Sequence, residues 1–153
     1  MSLYAPSRDD IVIQDPDRQF VAVVEIKNMQ NLTRDIATAV RGNSMIYSLL
    51  PQTPYFLLLS QDKGFIWKEA WREGPETPPS YEFPMDAVVT RYLHRKPDDR
   101  LYNEELRYLV LQWLTDLADG KPQMSEEPEK TLALAGFDAS IKEAYVSIRV
   151  EEE

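Results

Sequence analysis

Asp10, Glu25 and Lys27 are the residues whose types and spacing could do chemistry together. Glu25 and Lys27 close the apolar run Phe20-Val-Ala-Val-Val-Glu-Ile-Lys27. Side chains alternate across a strand, so both point to one face and Ile26 to the other. A buried strand normally excludes such charges. Asp10 precedes the β-branched run Ile11-Val12-Ile13, and Asp15-Pro16-Asp17-Arg18 between the two runs has turn composition. A turn centred near Pro16-Asp17 pairs Asp10 with Val23 or Val24, about two positions from Glu25. Two carboxylates are hard oxygen ligands that suit Mg²⁺ or Mn²⁺. An ammonium beside them can stabilise negative charge on a phosphate or orient an attacking water.

Asp10, a turn, and Glu25-Ile26-Lys27 at the end of an apolar strand resemble the PD-(D/E)xK nuclease superfamily, with its restriction-endonuclease-like fold. The resemblance implies that Asp10 and Glu25 hold Mg²⁺ or Mn²⁺, that the Ile26 backbone carbonyl helps, and that Lys27 assists phosphodiester hydrolysis. It extends through the helix and strands that follow Lys27. Asp119-Gly120-Lys121 also reads acid-x-Lys, but it follows a helix and sits in a loop. Pro16-Asp17 is a literal Pro-Asp, but Asp17 falls in the hairpin turn. The family usually places a helix and another strand before the first Asp, and the residues before Asp10 leave no room for both. Either the fold is trimmed or a later segment fills the place. The plainer reading is that Glu25 and Lys27 form an ordinary ion pair at a strand end.

The chain of 153 residues is long enough for one domain with its own core, and residues 1–153 are read as a single unit. A hydrophobic fraction of 43% with 3 Trp, 8 Tyr and 5 Phe argues for a folded protein. With no cysteine there is no disulfide and no thiolate zinc site, and His94 alone makes no histidine cluster. Neither a phosphate-cradling glycine loop nor a nucleophile-elbow serine is present. The N-terminus lacks a signal-peptide pattern, no run approaches a membrane span, and a cytoplasmic protein is expected. A net charge of −9 and a pI of about 4.7 work against nucleic acid at the surface as a whole. A nuclease with this balance needs a local basic path or a basic partner.

These residues must be positioned by the elements around them. Thr33 reads as the N-cap of a helix with Ile36, Ala39, Val40, Asn43, Ile46 or Tyr47, and Leu50 at helical spacing, weakened by Gly42 and ended by Pro51. Arg34 and Arg41 could project from it near the strand ends. The resemblance makes Arg41 the candidate for support of the site, against a solvent-facing arginine. Residues 55–60 and 65–71 read as strands around a Gln61–Gly64 turn, with Phe65, Trp67 and Glu69 on one face. Trp67 and Trp71 read as packing before base-stacking platforms. Residues 74–80 are a proline-rich loop. Asp86 starts a short helix that ends in the basic cluster Arg91, His94, Arg95 and Lys96. Arg91, Arg95 and Lys96 are candidate phosphate contacts, or else cations complementing a helix C-terminus. Asn103 caps a helix with the stripe Leu106, Leu109 or Val110, Trp113, Leu114 and Leu117. Residues 121–130 read as an acidic linker, followed by a helix around 139–143 and a strand over 144–150. That strand could take the vacant place or extend a partner's sheet.

The fold class expected is α/β, a mixed sheet flanked by helices with a restriction-endonuclease-like core. Two functions remain open. One is a Mg²⁺-dependent DNA endonuclease. The other is an inactive or partner-dependent module of the same fold that acts as a homodimer or with a protein partner. No membrane partner is expected.

Overall fold

A computed structural model describes residues 11–47, 52–95 and 99–148 of the chain. Strand β1 (Ile11–Gln14) and strand β2 (Phe20–Ile26) form the antiparallel hairpin that the β-branched runs predict. Asp15 closes its turn: its carbonyl accepts from the Arg18 N–H and its side chain from the Gln19 N–H, both at 2.9 Å. The register pairs Ile11 with Val24, Val12 with Val23 and Ile13 with Ala22, then slips at Gln14, which faces Phe20. This bulge inserts an extra residue into β2. Beyond it Val23 and Val24 face Val12 and Ile11, so neither is left as the partner expected for Asp10. Asp10 itself lies outside the described residues.

Helix α1 (Arg34–Tyr47) starts as its cap predicts, with the Ile36 N–H bonding to Thr33 Oγ1 at 3.2 Å. Its buried face is turned from the predicted stripe. Ala37, Val40, Arg41 and Ser44 point inward, whereas Ala39 and Ile46 are exposed. Leu50 lies outside the described residues. Gly42 has a packing reason: a Cβ there would stand 2.6 Å from the Pro75 carbonyl oxygen. The connection after β4 can therefore lie directly on the helix.

Strand β3 (Tyr55–Leu59) runs parallel to β2, and β4 (Lys63–Lys68) returns antiparallel to β3. The predicted second strand is thus shifted toward the turn. It stops at Glu69, whose φ of 49° breaks the extended chain, and Ala70–Arg72 form a 3-10 turn. Trp67 is core, and its indole donates to the Thr77 carbonyl at 2.9 Å, while Trp71 is exposed. The proline-rich loop leads into β5 (Tyr81–Pro84), an edge strand where proline is tolerated.

Helices α2 (Asp86–Leu93) and α3 (Asn103–Ala118) follow, and the whole predicted stripe of α3 is buried. The presumed acidic linker is helical at its end. Glu129 and Lys130 open α4 (Glu129–Leu134), and α5 (Phe137–Ser140) precedes the predicted position of the last helix. Strand β6 (Tyr145–Ile148) pairs antiparallel with β1 inside the chain.

The result is an α/β fold with a six-stranded mixed sheet in the order β5-β4-β3-β2-β1-β6, flanked by helices. One face packs Val12, Val23, Phe56, Leu58, Phe65 and Trp67 against α1. The other packs Ile11, Ile13, Ala22, Val24, Leu57 and Ile66 against α2 to α5. β2 and β3 are buried on both faces, which explains their nearly unbroken apolar sequences. Among the described residues no helix is long and apolar enough to cross a membrane.

Candidate functional site

Glu25 sits in the middle of the sheet, opposite Leu58 of β3, on the face covered by α1. It is 0% exposed. A lone carboxylate there would be strongly disfavoured, so its environment must compensate the charge. Two groups do so. Ser44 of α1 donates its hydroxyl to Oε2, and Lys27 brings Nζ to 3.5 Å from Oε1. The Lys27 side chain is 14% exposed, so this pair opens to solvent on the lysine side. The backbone of Lys27 prolongs the parallel ladder, its N–H bonding to the Leu59 carbonyl at 2.9 Å. Glu25 and Lys27 are therefore fixed on one face by two central strands, as alternation requires.

Ser44 was not foreseen as a site residue. A serine inside a helix carries no pattern of its own, but it stands three residues after Arg41 on the inward face. That spacing is the one signal that could have found it.

Arg41 has another task than support of the site, and it does not face solvent. It is buried, and its guanidinium donates to the carbonyls of Ala70 and Gly74 at 2.9 Å and of Glu73 at 3.2 Å. Its charge lies over the rings of Trp67 and Phe56, with centroids at 5.3 and 6.0 Å. Burial lowers its pKa, and the Glu73 charge offsets part of that effect. Arg41 ties the connection after β4 to α1. The arginine joined that face because carbonyls can neutralise a buried donor fork, which sequence spacing does not reveal.

The basic cluster is also partnered internally. Arg91 forms a two-pronged ion pair with buried Glu129 at 2.8 and 3.2 Å, and Trp113 donates its indole N–H to the same carboxylate at 2.8 Å. Arg95 pairs with Glu105 at 2.7 Å. Each arginine offered as a phosphate contact thus already holds a carboxylate. The partners come from segments distant in sequence, so local charge density concealed them. Lys96 lies outside the described residues, and His94 is exposed at the end of α2.

On the side of Arg91 a cleft of about 360 Å³ is lined by Tyr92, Asp116, Lys121 and Glu126, among others. The Tyr92 hydroxyl donates to Asp116. Burial first, and then that hydrogen bond, raise the phenol pKa above its ordinary value.

Residues 99–101, just before α3, lie against the sheet end beside Lys27. Buried Gln61 donates from Nε2 to the Asp99 carbonyl and accepts the Leu101 N–H at 2.9 Å, so it pairs like a piece of backbone. Asn28 donates to the Leu101 carbonyl at 2.7 Å and to Asn103 Oδ1 at 3.0 Å.

Among the described residues no group of three or more His, Cys, Asp or Glu is placed to hold a metal ion. Of the predicted carboxylates, Glu25 is in this set and Asp10 is outside it. Compared with known proteins, the chain matches no family model, no curated protein and no solved structure.

Proposed function

We propose that the Glu25–Lys27 end of β2 is the centre of a Mg²⁺-dependent phosphodiesterase of the PD-(D/E)xK kind, acting on DNA in the cytoplasm. The observation that carries this is the 3.5 Å approach of Lys27 Nζ to a fully buried Glu25 on one face of a central strand. Asp10 is the second carboxylate. The described register ends with Ile11 opposite Val24, and Asp10 precedes Ile11 in the sequence.

The donor chemistry fits a hard divalent ion. Glu25 offers an anionic oxygen toward the lysine side, Asp10 a second, and the Ile26 carbonyl a neutral one. Such an ion supplies charge neutralisation at a phosphate and a more acidic bound water. Lys27 adds a fixed positive charge where negative charge develops on the phosphate. Ser44 holds the Glu25 carboxylate in one orientation from below, as a supporting hydroxyl does for a ligand.

Calorimetric titration with Mn²⁺ tests this without knowledge of the substrate. Wild type should bind one ion, and Glu25→Ala and Asp10→Ala should both lose it. Lys27→Ala should keep the fold and abolish DNA cleavage. Equal binding by all three proteins would remove the metal centre.

A second function is favoured by one specific observation. Glu25 is enclosed and already compensated by Ser44 and Lys27, as expected of a catalytically inactive member kept as an interaction module. That protein would be a stable homodimer or require a protein partner, and would show no metal-dependent cleavage alone.

A further inference from the structure

Anion contact at the proposed site needs a cation that the fold has not already paired. Arg91 and Arg95 hold Glu129 and Glu105, Arg72 holds Glu69, and Lys121 holds Asp116 and Asp119. Arg34 donates to the Pro79 carbonyl, Arg41 is buried, and Arg18 stacks on Tyr145. Arg100 shares with Arg18 and Arg34 the lack of a carboxylate partner among the described residues, and differs from them in its place, bonded to the residue that follows Lys27. It is exposed, and among the described residues no carboxylate lies within ion-pair distance of it. Its guanidinium donates to Asn28 Oδ1 at 3.1 Å.

Asn28 follows Lys27 in the chain and anchors the segment before α3 through Leu101 and Asn103. Gln61, at the end of β3, grips the same segment on both sides of Arg100, at Asp99 and Leu101. An exposed arginine whose backbone is pinned by two side chains from the sheet end loses little further freedom on binding. Lys27 and Arg100 both border Asn28, one by a peptide bond and the other by a hydrogen bond. They stand at the carboxyl ends of β2 and β3, the parallel pair, and ligands of open α/β sheets bind outside such strand ends.

We propose that Arg100, presented by Asn28 and Gln61, contacts the phosphate next to the one held at Glu25 and Lys27, which makes it the backbone anchor for a DNA strand. This rests on the phosphodiesterase reading of the site. Arg91 and Arg95, already paired with Glu129 and Glu105, then have no part in binding. It also answers the problem of an acidic protein, because one pinned arginine beside the site supplies local attraction without a basic surface.

The test is polarisation of a fluorescent DNA duplex with Ca²⁺ present, across a NaCl series, for wild type, Arg100→Gln, Arg100→Lys and Arg72→Gln. Arg72→Gln removes the same charge from an exposed site elsewhere. Loss of one phosphate contact should make the salt slope of log K shallower by about 0.9 in Arg100→Gln. Arg100→Lys should keep the slope, and Arg72→Gln should match wild type. Equal slopes for Arg100→Gln and Arg72→Gln would overturn the assignment, as would absence of DNA binding by wild type. Mn²⁺ titration of wild type and Glu25→Gln, run beside it, reports separately on the metal site. An ion bound by wild type and lost in Glu25→Gln leaves that site standing even if Arg100 proves irrelevant.

Discussion

Glu129 and Glu25 are both fully buried, and among the described residues each faces a cation and one neutral donor. Glu129 receives the planar fork of Arg91 on both oxygens and the indole of Trp113, so rigid donors fix it from α2 and α3. Glu25 receives a rotatable hydroxyl on one oxygen and, at the longer distance of 3.5 Å, a lysine on the other. Lysine is a point charge on a flexible stem, whereas arginine matches a carboxylate in two directions at once. The Arg91–Glu129 pair is built to stay closed. Under the proposed function, the Lys27–Glu25 pair is the one that opens toward an incoming ion or phosphate. The same two ingredients, a buried acid and a base, thus serve as a clamp on one face of the sheet and as a candidate site on the other.

The contrast can be broken most forcefully at the clamp. Glu129→Ala leaves Arg91 and the Trp113 indole without their acceptor, and should cost about 3–5 kcal/mol in urea denaturation. Mn²⁺ binding should stay unchanged. Glu25→Gln, of nearly equal shape, should cost less than about 2 kcal/mol while abolishing the ion site. If the two costs were reversed, Glu25 would be the structural member of the pair. Ser44→Ala comes next: about 1 kcal/mol of stability for one hydrogen bond, and an Mn²⁺ affinity lower by roughly 10–100-fold. An affinity equal to wild type would show that the hydroxyl does not orient the carboxylate.

The smallest effect is a pH signature beside the clamp. The folded protein raises the Tyr92 pKa, chiefly through burial and then through the bond to Asp116. The unfolded phenol releases its proton near pH 10. The folded state therefore keeps a proton that the unfolded state gives up. That contribution is fully present below the unfolded pKa and is lost as pH rises toward the folded one. Stability should decline above about pH 10 in wild type and less steeply in Tyr92→Phe. Parallel stability profiles for the two proteins in alkaline denaturation would rule out this role for Tyr92.

Much of the fold was legible because periodicity and punctuation agreed. The β1–β2 hairpin, the cap at Thr33, and the full stripe of α3 follow from β-branched runs, turn residues and 3.6-residue spacing. Where these misled, buried polar residues were the cause. Arg41 and Ser44 lie on the inward face of α1, so counting apolar residues turned the predicted stripe away from it. Glu129 made the start of α4 look like solvated linker, although Arg91, 38 residues earlier, holds it in the core. β5 is short and carries Pro84, which weakens any strand signal. Of the candidate site, alternation sufficed to put Glu25 and Lys27 on one face. Ser44 and the pinning of Arg100 depend on contacts between distant segments, and no local pattern encodes those.

Because β6 pairs with β1, the outer neighbour of the first hairpin arrives only when nearly all the described chain has been synthesised. β1, β2, α1 and β3 can associate early through nearby segments, so the surroundings of Glu25 assemble first. The edge beyond β1 must wait for a much longer loop closure. Until then a nascent chain emerging from the ribosome exposes an unpaired strand edge of Ile11, Val12 and Ile13. Strand order thus makes the β1–β6 pairing the last of the described sheet to become possible during synthesis.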